Sequence, residues 1–322
     1  MKQARIIIRV IIFMTLVSTI QAQDFADIQQ YATPILLNPS FAGSTRGDRL
    51  WVSLQSTHNK DSKAILKFIS HDFYNKKRAM GFGIIGGVRA DYKQNLYIPF
   101  IEASISKYIP QKQQTILVPS LTFGFHQPLK EYSLFLYDQI INPRGIPSYP
   151  GYTLYRTTEL SAGSGILLTN YEGSIGVSGK VRWSYKKNPY TDSLDEFSYS
   201  LLIHAEKIFT YHHRGLLSRE YLFRPRFVLH MKDESIQLFS EIMVNRKQFE
   251  TGIGFLPNFN TGNTRLSVNV GYNLKYFKIN YIGSILNENG AFKRNMHNIY
   301  LSVILPKLKR YGIPVPALIR NL

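Results

Sequence analysis

His204 and Glu206 stand two residues apart, the spacing that puts two side chains on one face of a β-strand and could make an acid–base pair. His212-His213 could ligate a metal, yet neighbours on a strand point to opposite faces and no third ligand follows at a useful spacing. Gly81-Phe82-Gly83-Ile84-Ile85-Gly86 matches G-x-G-x-x-G in letters. A dinucleotide site needs a strand, a tight turn and a helix N-terminus. Here Phe82, Ile84 and Val88 alternate with small residues, so the stretch reads as one continuing strand whose glycines leave space on its other face. Ser164 lies between glycines but outside a G-x-S-x-G elbow. None of these assembles into a nucleophile, a ligand set or a phosphate cradle. The expectation is a chain with no catalytic residue, no cofactor and no metal.

The elements that carry these residues alternate with period two nearly everywhere from about 49 to 305. Leu266, Val268, Val270, Tyr272 and Leu274 point one way, against Arg265, Ser267, Asn269, Gly271 and Asn273 on the other. Ile175, Val177, Val181 and Trp183 oppose Ser174, Ser178, Lys180 and Arg182. Phe197, Tyr199, Leu201 and Ile203 oppose Ser198, Ser200, His204 and Glu206. Tyr221, Phe223, Phe227 and Leu229 oppose Arg224, Arg226 and His230, and Ile299, Leu301 and Val303 oppose Asn298, Tyr300 and Ser302. A strand with hydrocarbon on one face and a polar lumen on the other needs this division.

About fourteen such segments can be counted, near 49–56, 63–71, 80–89, 96–108, 115–126, 157–169, 172–184, 196–209, 219–230, 235–246, 248–257, 264–275, 277–287 and 296–305. Most are 9–13 residues long, enough to cross a bilayer at a tilt, and an even count lets the first strand pair with the last. The fold class expected is all-β, a transmembrane antiparallel β-barrel. Gly262-Asn263 and Glu288-Asn289-Gly290 read as hairpin turns, and Lys130 to Tyr155 as the longest loop, with Asn188 to Glu196 next.

Composition agrees. Tyr (21) and Phe (20) are abundant, Cys is absent, mean hydropathy is slightly negative, and beyond the first residues no 18-residue apolar run exists. That excludes helical spans, a disulfide framework and a thiolate metal site. Lys2, Arg5 and Arg9, the apolar run Val10 to Val17 and Ile20-Gln21-Ala22 resemble a secretory signal cleaved after Ala22. Removing those three cations lowers the net charge from +18 to +15, 36 basic against 21 acidic residues. The charges are scattered singly, with no basic helix, so the excess points to anionic lipid headgroups or a cationic lumen rather than nucleic acid. The expected division is 1–22 signal peptide, 23–48 N-terminal segment, 49–305 barrel and 306–322 C-terminal tail, where Pro314 and Pro316 block regular structure.

The N-terminal segment holds the most specific motif. Thr33-Pro34 and Asn38-Pro39 hold the backbone extended, Gly43 permits a turn before the first strand, and Ile35, Leu36, Leu37 and Phe41 supply apolar anchors. Such a strip is expected to fold into the barrel mouth or the periplasmic rim, as a plug or a docking strip, or else to be a mere lead-in to the first strand. Gln29, Tyr31, Pro34, Leu37, Asn38, Pro39, Phe41 and Gly43 carry a resemblance to the start of the mature PorP/SprF family, of the type Q-x-Y-x-N-P-x-x-L-N-P-A-x-A-G. Thr33 stands where Asn is usual, Ser40 where Ala is usual, and Ser56 where Trp is usual after Gln55. More loosely, Leu121 to Phe125, Ser161 to Leu168, Tyr171 to Ser178 and His297 to Ser302 resemble strands of that family. The resemblance implies an outer-membrane protein of the type IX secretion and gliding machinery of Bacteroidota. It implies as partners a large secreted adhesin or other cargo and further type IX components, in addition to outer-membrane lipid. The alternative is a porin or small-solute transporter.

Overall fold

The computed structural model describes residues 33–45, 48–58, 63–92, 95–111, 115–133, 152–186, 195–213, 219–233, 235–257, 264–274, 277–288 and 291–305. The signal segment 1–22, Gln29, Tyr31, the turn residues Gly262-Asn263 and Asn289-Gly290, the stretch 188–194 and the tail 306–322 lie outside them, as do the side chains of His212 and His213.

Fourteen antiparallel strands form one sheet. They are β1 (Asp48–His58), β2 (Lys63–Asn75), β3 (Met80–Asp91), β4 (Leu96–Lys107, continuing as Ile109–Pro110) and β5 (Ile116–His126, continuing as Leu129–Ser133). There follow β6 (Tyr152–Thr169), β7 (Gly173–Lys186), β8 (Asp195–Lys207, continuing as Phe209–His213), β9 (Arg219–Lys232) and β10 (Ser235–Arg246). β11 (Phe249–Pro257), β12 (Thr264–Asn273), β13 (Phe277–Glu288) and β14 (Ala291–Leu305) complete the order. Each strand pairs with its neighbour in sequence, and β14 returns to pair with β1 from Asp48↔Leu305 to His58↔Asn295. Closure leaves no edge, so every ladder amide and carbonyl finds a partner without water, which hydrocarbon requires.

The alternation places the side chains as the pattern demands. Phe123, Ile253 and Val268 are 62%, 67% and 52% exposed on the outside, while Thr122, Gly252, Gly254, Ser267 and Asn269 turn inward. Aromatic rings such as Trp183 and Phe197 stack across strands on the outer wall. A closed barrel with an apolar exterior and strands long enough to span the hydrocarbon is a protein of the bacterial outer membrane. No helix among the described residues is long and apolar enough to cross a membrane.

Two connections differ from expectation. The second piece of β5 pairs with the start of β6, Leu129↔Arg156 to Ser133↔Tyr152, so the long loop narrows to 134–151. β8 runs on through Phe209–His213 to pair with Arg219–Phe223. In both, β-prone residues (Leu129 and Tyr132 in one, Phe209 and Tyr211 in the other) extend the ladder beyond the bilayer-spanning length that guided the count. The connections 134–151 and 187–194 lie at the same end of the barrel. At the other end, where β1 begins and β14 finishes, none exceeds five residues. Short turns with the chain ends mark the periplasmic side, and longer loops the cell surface.

The larger difference is inside. A lumen read as polar contains two apolar clusters among the described residues. Leu37 and Phe41 pack with Val118, Leu167, Leu202 and Val228. Ile35 and Ala42 pack with Trp51, Phe68, Ile282 and Tyr300. Such residues face inward because a segment of the chain lies there to cover them.

Candidate functional site: a plugged lumen

The segment Thr33–Thr45 sits inside the barrel. Pro34–Leu37 forms one helical turn, α1, with Pro at its first position, where a missing N–H costs nothing. Pro39–Phe41 forms a 3-10 turn, which the Asn38 side chain caps by accepting from the Ser40 amide at 2.9 Å. A proline in each turn prefixes φ and lowers the entropy lost on ordering so short a piece.

The segment is tied by hydrogen bonds to seven of the first eight strands. The Trp51 indole of β1 donates to Thr33 Oγ1 at 2.9 Å. Asp72 of β2 accepts from the Gly43 amide at 2.9 Å and is held by Arg49 at 2.7 and 3.1 Å. Ser106 and Tyr108 of β4 both donate to the Ala42 carbonyl, at 2.8 and 2.9 Å. Ser40 and Ser120 of β5 share a hydroxyl contact of 2.8 Å. Asn38 Nδ2 donates to the carbonyls of Ile166 in β6 and Val177 in β7, both at 3.3 Å, and meets His204 Nε2 of β8 at the same distance. Ser178 of β7 donates to the Leu37 carbonyl at 3.1 Å. The Phe41 ring packs on His204 with centroids 5.4 Å apart.

β3 contributes room rather than bonds. Gly43 adopts φ +69°, and a Cβ there would come within 2.6 Å of the Gly81 Cα and the Phe73 carbonyl. A methyl on Gly81 would overlap the Ala42 carbonyl oxygen. The G-x-G letters therefore mark where two backbones touch, and the stretch is strand throughout.

Asn38 is completely buried and uses both its amide ends. Asn38→Ala removes the cap and leaves the buried Ser40 amide without its acceptor. It should destabilise the folded barrel by about 2–3 kcal/mol, read as the urea midpoint of the heat-modifiable band on a gel.

The other half of the lumen, from β8 to β14, is closed by charge. Glu250 of β11 accepts from Lys278 Nζ at 3.0 Å to each oxygen and from Arg224 at 3.2 Å. Asn245 and Asn280 add bonds of 3.0 and 3.2 Å to it. Arg226 bridges Glu206 at 3.1 Å and Glu241 at 3.4 Å. Asn269 donates to Glu241 at 3.3 Å, and Asn280 donates to the Tyr300 hydroxyl at 2.8 Å. Three cations thus face three carboxylates, and all six are buried. Removed from water, such ions persist only when paired and hydrogen-bonded, as these are.

Of the motif residues, Pro34, Leu37, Asn38, Pro39, Phe41 and Gly43 all lie in the plug or at its exit. His204 and Glu206 do share a face, yet His204 is spent on Asn38 and Phe41, and Glu206 on Arg226. They make no acid–base pair with each other. Ser164 points outward. Among the described residues no group of three or more His, Asp or Glu could hold a metal ion. The charge network escaped the sequence reading, although Arg224, Arg226, Glu241 and Glu250 occupy inward positions of successive strands.

No family model and no curated protein matches this sequence. Solved structures do resemble it. CdiB from Acinetobacter baumannii aligns with 80% of this chain at 8% identity and a TM-score of 0.50, and the chain spans 60% of CdiB's length. The toluene transporter TbuX of Ralstonia pickettii aligns over 84% of this chain and 93% of its own, at 11% identity and a TM-score of 0.48. The outer membrane protein Omp33 of Acinetobacter baumannii aligns over 82% and 100%, at 7% identity and a TM-score of 0.43. At these identities the likeness is one of fold.

Proposed function

We propose that this barrel is a non-enzymatic outer-membrane component of type IX secretion and gliding, which supports export or surface anchoring of a large secreted protein. The observation that carries the reading is the filled lumen. A segment bonded to seven strands, packed on an eighth and reaching Val228, Ile282 and Tyr300 beyond them, together with a balanced ionic network, suits a barrel used as a platform better than one used as a passage. The resemblance of the plug sequence to the PorP/SprF start supplies the identity of the machinery. The alternative, a small-solute channel, has in its favour a cavity on the outer side of the plug.

The test is retrieval of the tagged barrel from native membranes, with mass spectrometry of what accompanies it, beside a surface-protein profile of a strain lacking the gene. The expected result is co-purification of type IX components or one large secreted protein, and loss of that protein from the cell surface. An unchanged surface profile with no such companion would refute the proposal.

A further inference from the structure

Above the plug, toward the outer end of the lumen, the strands enclose a cavity of about 210 Å3. Its floor is the plug itself, through Ile35, Leu36 and Pro39, and Phe68, Phe100 and Leu202 extend that apolar surface up the wall. The opposite character lies around it: Arg89, Lys180, Arg182 and Lys232 all line the same space. Glu102 is the one carboxylate among the lining residues, and it is already bound by Lys180 and by His126 at 3.0 Å. Arg182 reaches Glu159 at 3.6 Å while keeping 37% of its side chain exposed. Four cations and one carboxylate thus line the space over the apolar floor, with Glu159 behind Arg182 and further partners at Arg89 and Lys232.

We infer that this cavity binds a small organic anion, a carboxylate or sulfonate with a ring-sized or short-chain apolar body. The volume is below the roughly 300–1,000 Å3 of pockets for drug-sized molecules, so the occupant is small. The apolar floor takes its body by desolvation, and the guanidinium and ammonium groups take its charge through hydrogen bonds stronger than neutral ones. Because the plug forms the floor, occupancy also favours the plugged barrel over any state in which the plug has left, by simple linkage. The inference stands apart from the secretion role and survives if that role fails.

Benzoate is the probe, titrated calorimetrically into the full-length folded barrel in a neutral detergent, with benzyl alcohol as its uncharged counterpart. Benzoate should saturate one site and bind at least about tenfold more tightly than the alcohol. Arg182→Gln should weaken benzoate about tenfold, and Leu36→Trp, which fills the floor and leaves every cation in place, should abolish binding. The second variant decides the matter should the first fold poorly on a heat-modifiability gel. No saturable benzoate signal, equal binding of the alcohol, or undiminished affinity in Leu36→Trp would each overturn the inference.

Discussion

Glu250→Ala lowers the stability of the folded barrel by about 3–5 kcal/mol, among the largest effects a single substitution can have here. The carboxylate is fully buried and accepts from Lys278, Arg224, Asn245 and Asn280. Without it, two buried cations lose the carboxylate they share. The loss follows from stranded charge, not from the net worth of the pair, and this gives the prediction a second arm. Glu250→Leu combined with Lys278→Met removes both ions and keeps the volume, so the double variant should recover about half or more of the loss. Equilibrium urea unfolding in lipid vesicles measures both. A cost below about 1 kcal/mol for the single change would mean that water reaches Glu250 and that this half of the lumen is open.

The second large effect is displacement of the plug. Gly81→Val places a branched side chain where the Ala42 carbonyl now lies, with the Gly43 backbone packed against the same Cα. Neither side can yield by a rotamer change, because both are main chain. The chain has no cysteine, so Ser40→Cys is a clean reporter: Ser40 is fully buried between the plug and β5. Alone, it should resist a water-soluble maleimide in the folded barrel. Joined to Gly81→Val, it should label roughly ten- to a hundredfold faster, the strain of overpacking converted into opening. Gly83→Ala is the control, since the atom it meets is the tip of the Ile35 side chain, which can turn aside. Equal labelling in all three backgrounds would show that the segment does not rest on β3.

The strands were legible because a membrane imposes period two with little tolerance. Val268 cannot exchange faces with Ser267 without putting a polar group in hydrocarbon, so the register is written in the side chains. Strand ends were less so, since beyond the bilayer the ladder through Leu129–Ser133 and Phe209–His213 answers only to local propensity. The plug position was half legible. Two X-Pro steps read as extended backbone, and Thr33 and Asn38 are extended, but each proline then opens a short helical turn, and nothing local says where such a segment docks. The clue lay elsewhere, at inward positions held by apolar residues: Leu202 between Ser200 and His204, Val228 between Arg226 and His230, Ile282 between Asn280 and Ser284. In an aqueous pore these would be misplaced. In a barrel with an internal core they are required. The ionic network was invisible because its charged partners are 15 to 28 residues apart along the chain, as with Arg226 and Glu241 (15), Arg226 and Glu206 (20) or Lys278 and Glu250 (28). Only strand register brings them together.

The two halves of the lumen are closed by different means with one outcome. On β1–β8 a chain segment replaces water with hydrogen bonds and apolar contact. On β8–β14 charged side chains replace water with one another. His204 stands where the two meet, bonded to Asn38 on the plug side and one residue pair away from Glu206 in the network. Both the platform role and the anion cavity presuppose this closure.

Single-channel recording tests that closure most directly. The purified full-length barrel, inserted in a planar lipid bilayer, should show no large, stable open steps, and removal of residues 33–43 should produce them. Stable open steps of porin size from the intact protein would contradict the account, because water and ions would then be passing where the plug and the ionic network are said to lie.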